Sequence, residues 1–232
     1  MTEGHVRQLL RLAIVIAVVM PALLGFWAVG AYVRGWDVVE SARASAACVM
    51  AELAVCILAP LFLDHPPAAR QRGFVVFWFC ISAFFNATWQ IPLILFRSTI
   101  TTAPHTPANL LRFIAWWGYG FADSHYGRVS PWMISEELWW LLAILLSVAG
   151  LVLLRRGREI RAFLLLGVAG ALEAYNATLY IVENALVDRF SNIAAGSMVS
   201  LVLYWGFNLL WPAAALVACV YSFRFVLAAA ES

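Results

Sequence analysis

GFVVFWFCISAFFNATWQIPLILF, residues 73–96, decides the fold. A helix of this length, at 1.5 Å per residue, crosses the ~30 Å hydrocarbon layer of a bilayer. The stretch carries no charged side chain, but it holds two amides, Asn86 and Gln90, with Trp89 between them. Residues four apart share one helix face. An amide in hydrocarbon is costly, so such a face turns toward a neighbouring helix or a polar interior. Amides orient, donate and accept; they do not transfer protons near neutral pH.

The rest of the chain follows the same pattern. Hydrophobic residues make up 64% of the 232 and charged residues 12%, against about 45–50% and 25% in a soluble domain. Six apolar spans can be drawn, at about 11–33, 44–63, 73–96, 132–154, 161–186 and 197–223. The reading is an all-α integral membrane protein, a single domain over 1–232 built as a bundle of about six transmembrane helices around a lipophilic cavity. His5, Arg7 and Arg11 precede the first span as they would in a signal peptide. The run from Leu12 to Val33 is longer than the 7–15 residues of a signal h-region, so a retained helix is expected. The connection from Arg97 to Pro131 is long and rich in Trp, Tyr and Phe, which predicts an interfacial cap.

All basic residues are Arg, and the formal charge of +2 is too small and too scattered for a nucleic-acid partner. With the N-terminus inside, inner segments hold Arg7, Arg11, Arg70, Arg72, Arg155, Arg156, Arg158, Arg161 and Arg224. Outer ones hold Arg34, Arg43, Arg97, Arg112, Arg128 and Arg189, a bias that places both termini in the cytoplasm. The absence of Lys beside abundant Ala and Arg is the composition of a GC-rich genome, hence a bacterial plasma membrane; in a eukaryote the membrane would be the endoplasmic reticulum. Cys48, Cys56, Cys80 and Cys219 all lie in apolar runs without metal-ligand spacing and read as packing residues.

Other spans carry polar groups at compatible depths. Glu136 and Glu137 are adjacent, about 100° apart on a helix, so only one is expected to point fully inward. They can complement a helix dipole, or one can act as a general acid in a cavity. Glu173, Asn176 and Tyr180 form an i, i+3, i+7 stripe expected to line that cavity, whereas Glu183 is near enough to its helix end to be solvated. Glu52 is mid-span in the second helix, as a structural partner or a second proton site. Asn208 and Trp211 share a face above Pro212, where the indole could meet a cation or a flat ring system.

At these positions the chain resembles the emopamil-binding protein family, the EXPERA-domain membrane proteins that include the sterol Δ8–Δ7 isomerase. The residues that carry the resemblance are Trp78-Phe79 leading to Asn86 and Gln90, then Trp116, Tyr119, Asp123-Ser124 and Tyr126 leading to Glu137. Tyr175, Tyr180, Asn208 and Trp211 continue it. The match runs from about Arg72 to Val226; the EXPERA-like region, about 44–226, would supply five helices, with the 11–33 helix an addition. The resemblance implies that protonation and deprotonation move a ring double bond through a carbocation, in a pocket that takes sterols and cationic amphiphilic amines. It puts Glu137 on a functional glutamate, and Asn208 and Trp211 on pocket residues. The family's histidine and glutamate, however, are replaced here by Asn86 and Gln90.

Three readings follow. In the first, Glu137 is acid or base, partnered by Glu173 or Glu52, in a cofactor-independent isomerisation or cyclisation of a sterol-like or terpenoid lipid. Asn86, Trp89, Gln90, Tyr119, Asp123, Tyr126, Asn176, Tyr180, Asn208 and Trp211 would form the substrate site, with no metal. In the second, the pocket survives without catalysis and binds sterols, lipids or amphiphilic amines. In the third, a structural subunit, the amides are interhelical glue. The expected partners are a lipophilic small molecule and membrane lipids, with oligomerisation left open.

Overall fold

The computed structural model describes residues 3–127, 131–194 and 197–231. Seven α-helices account for nearly all of them: α1 (Glu3–Arg34), α2 (Val38–Leu58), α3 (Pro67–Thr102), α4 (Pro107–Gly120), α5 (Pro131–Arg155), α6 (Glu159–Glu183) and α7 (Met198–Ala230). All but α4 are long and apolar enough to cross a membrane, the build of a multi-pass integral membrane protein.

Local chemistry sets the helix ends. Asp37 caps α2 by accepting the Glu40 amide at 2.9 Å, Thr106 caps α4 ahead of Pro107, and Ser197 caps α7. Gly35 (φ 69°) and Gly157 (φ 74°) follow the last turns of α1 and α5 in the left-handed conformation that stops a helix. Pro92 lies inside α3, and Phe96 just beyond it leaves helical geometry (φ −120°, ψ 16°), so α3 kinks without ending.

That kink changes the expected layout. Arg97 does not open a loop; α3 continues through it to Thr102, and the aromatic stretch beyond forms the short helix α4. At 14 residues α4 is too short to span. It lies against α1 and α2, bringing Gly118 so close to the Ala42 carbonyl that a Cβ there would sit at 2.7 Å.

The most extensive packing is α6 against α7 and α5, followed by α3 against α5. A Cβ on Gly170 would meet the Ala215 carbonyl oxygen at 2.9 Å, so the missing side chain is what allows α6 and α7 to approach. Trp78, Phe79, Phe163 and Leu166 fill the core between them. At the end of the bundle where α6 starts, Arg72 bonds both oxygens of Glu159 (2.5 and 3.2 Å) and lies over the Phe163 and Phe225 rings.

The opposite end is closed by non-helical chain. After α6, a single π turn (Asn184–Asp188) leads into Arg189 and Phe190, both left-handed at φ 48° and 58°. This returning segment pairs with the end of α4: Ser124 N–H donates to the Asn192 carbonyl, and Ala194 N–H to that of Ala122. Asp123 and Ile193 form the antiparallel bridge between them.

Candidate functional site

Inside the bundle lies a cavity of about 150 Å³. Helices α2 to α7 all contribute to its wall; α1 contributes nothing. Much of the surface is apolar and aromatic: Val49, Leu53, Phe85, Trp89, Trp140, Phe207 and Trp211. Trp211 is held edge-on by Trp78 (centroids 4.9 Å) and Phe85 (6.4 Å), while the Trp89 carbonyl accepts from the Trp116 indole at 3.1 Å. An aromatic wall of this kind suits a hydrophobic ligand and, electrostatically, a passing positive charge.

The polar groups expected from the sequence divide into three sets. Asn86, Gln90, Glu137, Tyr119, Asn176, Tyr180 and Asn208 all line the cavity, and all are buried. Asn208 donates to the Tyr119 hydroxyl (2.6 Å) and to the Tyr204 carbonyl, tying α7 to α4. Asn176 donates to the Glu136 carbonyl at 3.2 Å. Its own side-chain oxygen and that of Gln90 meet no donor among the described residues.

Glu136 lines the cavity together with Glu137, contrary to the expectation that only one of the two faces inward. The two are 5% and 3% exposed, while Ser135 before them and Leu138 and Trp139 after them are exposed.

Glu173 does not line the cavity. It is 1% exposed behind the wall, accepting the Ser82 hydroxyl at 2.5 Å. Ser82 in turn accepts from Asn86 at 3.0 Å, so the wall amide stands between the carboxyl group and the cavity. The stripe expected on α6 is real from Asn176 to Tyr180, but it turns into a helix interface one turn earlier. Asp123 also lies off the wall, buried beneath Tyr180, which donates to it. Tyr126 belongs to the short turn Ser124–Gly127, and its side chain lies outside the described residues.

Two groups escaped the sequence reading. Arg97, which the sequence places in an outer segment, is 6% exposed and donates through Nη1 to Glu137 Oε1 at 2.8 Å. The signal was available: Asn86, Gln90 and Arg97 follow one another on the stripe that α3 buries, and an Arg one residue past an expected helix end extends the helix more cheaply than it faces lipid. His125 had no such signal. Its ring sits 3.0 Å from Asp188 and 3.7 Å from Glu183, so Glu183 is enclosed in a charged cluster rather than solvated. Glu52 remains half-buried in α2, and neither of its oxygens finds a donor among the described residues.

The cavity is therefore lined by two carboxyl groups, one of them paired with the Arg97 guanidinium, and by indoles and amides. A carboxylate with a guanidinium at 2.8 Å is compensated in its ionised form, the state in which it can accept a proton in a medium of low dielectric. Among the described residues, no group of three His, Cys, Asp or Glu gathers as metal ligands. No protein-family model, curated protein or solved structure matches the chain.

Proposed function

We propose that this protein binds a sterol-like or terpenoid lipid inside a bundle of the emopamil-binding type and moves a double bond in it by proton transfer. The observation that carries the reading is the Arg97–Glu137 pair at the wall of an aromatic cavity. Glu137 would exchange the proton, Arg97 would balance the charge left behind, and Trp89, Trp140 and Trp211 would stabilise a carbocation through their π faces. Asn86 and Gln90, where the resemblance implies His and Glu, would orient the ligand. Glu173, sealed behind Ser82, would then be structural. The setting would be a bacterial plasma membrane.

The test is incubation of the purified protein in deuterated water with a Δ8-unsaturated sterol, squalene and geranylgeraniol, beside Glu137→Gln. Mass spectrometry should find deuterium in wild-type product and a loss of at least about 10²-fold in the variant.

A second reading, a lipid-binding protein without turnover, is favoured by one observation: the Asn86 amide is already committed to Ser82 and cannot shuttle protons. It predicts lipids held tightly yet recovered unlabelled.

A further inference from the structure

We propose that Tyr180 is the proton donor of this site, recharged by Asp123 behind it, with Glu137 as the acceptor. The inference rests on the proton-transfer reading above and adds to it the group that starts the reaction.

Tyr180 stands between two compartments. It lines the cavity, and its hydroxyl bonds Asp123 in the cap outside the cavity. The two oxygens of Asp123 are not equivalent. Oδ1 accepts twice, from the His125 backbone N–H at 2.9 Å and from Asn192 Nδ2 at 2.7 Å. Among the described residues, Oδ2 meets only the Tyr180 hydroxyl. Asn192 is itself fixed, bonding Asn184 at 2.6 Å, and the backbone bonds between the two cap segments hold Asp123 in place. One oxygen is thus anchored as an acceptor, while the other shares a single proton position with a hydroxyl on the cavity wall.

A carboxyl group kept neutral by an apolar site can donate a hydrogen bond, and one that donates to a hydroxyl can replace the proton that hydroxyl gives up. Asp123 is fully buried, and burial pushes its carboxyl above the usual range, although Tyr180, Asn192 and His125 work against that. The step balances as follows. With Asp123 protonated on Oδ2 and donating to the Tyr180 oxygen, the hydroxyl proton turns into the cavity, where the alkene π pair takes it, forming a C–H bond and leaving a carbocation. The proton on Asp123 Oδ2 passes to the Tyr180 oxygen, and the carboxylate left behind keeps its bonds from Asn192 and His125. Glu137 then removes a proton from the neighbouring carbon, whose C–H electrons become the new double bond. The site resets by returning one proton to Asp123 and releasing one from Glu137. The titratable groups around the dyad are His125, Glu183 and Asp188 in the cap and Tyr204 on α7.

The experiment uses the full chain in detergent and the same three lipids, with Tyr180→Phe and Asp123→Asn. Tyr180→Phe should lower the rate of deuterium incorporation at least about 10²-fold while lipid affinity stays within about threefold. Label retained by Tyr180→Phe but lost in Glu137→Gln would overturn the donor and leave the proton-transfer reading standing. No label in the wild type removes both. Because Asp123→Asn could disturb the cap, infrared difference spectra supply a second measurement. Wild type minus Asp123→Asn should show a protonated carboxyl band at neutral pH, shifted in Tyr180→Phe. A carboxylate band in its place overturns the relay.

Discussion

Glu137 and Glu173 are the same residue type at nearly the same burial, 3% and 1% exposed, on helices that pack side by side. Their surroundings differ. Glu137 borders the cavity and meets a guanidinium from α3; Glu173 meets a serine hydroxyl from the same helix and is walled off by Asn86. The cost of burying a carboxyl group is met by charge compensation in one place and by a neutral hydrogen bond in the other. The ionised form of Glu137 is compensated by a guanidinium, whereas that of Glu173 would meet only a neutral hydroxyl, so position along a polar stripe says less about chemistry than the partner across the helix interface.

The comparison breaks most visibly at Arg97. Arg97→Leu strands Glu137 without its cation and should cost about 3–5 kcal/mol, read as a large drop in thermal unfolding temperature in detergent. Arg97→Leu combined with Glu137→Leu should recover most of that loss; if it does not, the two residues are not acting as a pair. Next in size is the α6–α7 contact that seats the helix carrying Glu173. Gly170→Val forces a side chain against the Ala215 carbonyl and should cost about 1–3 kcal/mol, measurable by the same unfolding assay.

A smaller effect is expected from pH. The folded-state pKa of Asp123 is raised by burial, so its contribution to stability is complete below the ordinary Asp value of 3.8 and is lost as pH rises through the raised one. Unfolding temperatures measured upward in pH from the ordinary Asp value should fall with pH in the wild type and fall less in Asp123→Asn. The smallest effect should be at Glu173. Glu173→Gln keeps an oxygen for Ser82, so a change of about 1 kcal/mol or less and near wild-type activity are expected. A complete loss of activity there would erase the distinction between the two glutamates.

Much of this could be read from the chain. Span number and character were legible because hydrocarbon imposes a length and a composition on anything that crosses it. Asn86, Gln90, Asn176, Tyr180, Asn208 and Trp211 were legible as inward-facing for the same reason: lipid offers an amide or a hydroxyl no partner, so each must find one inside. The boundary after Phe96 was misjudged because Pro92 and Arg97 look like the end of a span. In the structure, the kink and a carboxylate on α5 let the helix continue.

What the sequence by itself determined is the class: six membrane-length helices, and a set of polar residues with nowhere to go but the interior. What only the tertiary structure decided is pairing. Arg97 meets Glu137 across 40 residues, Ser82 meets Glu173 across 91, and Tyr180 meets Asp123 across 57. Periodicity fixes which face of one helix is polar, but rotation and depth of the neighbouring helix, set by close contacts such as Gly170 on Ala215, determine which polar group it encounters there.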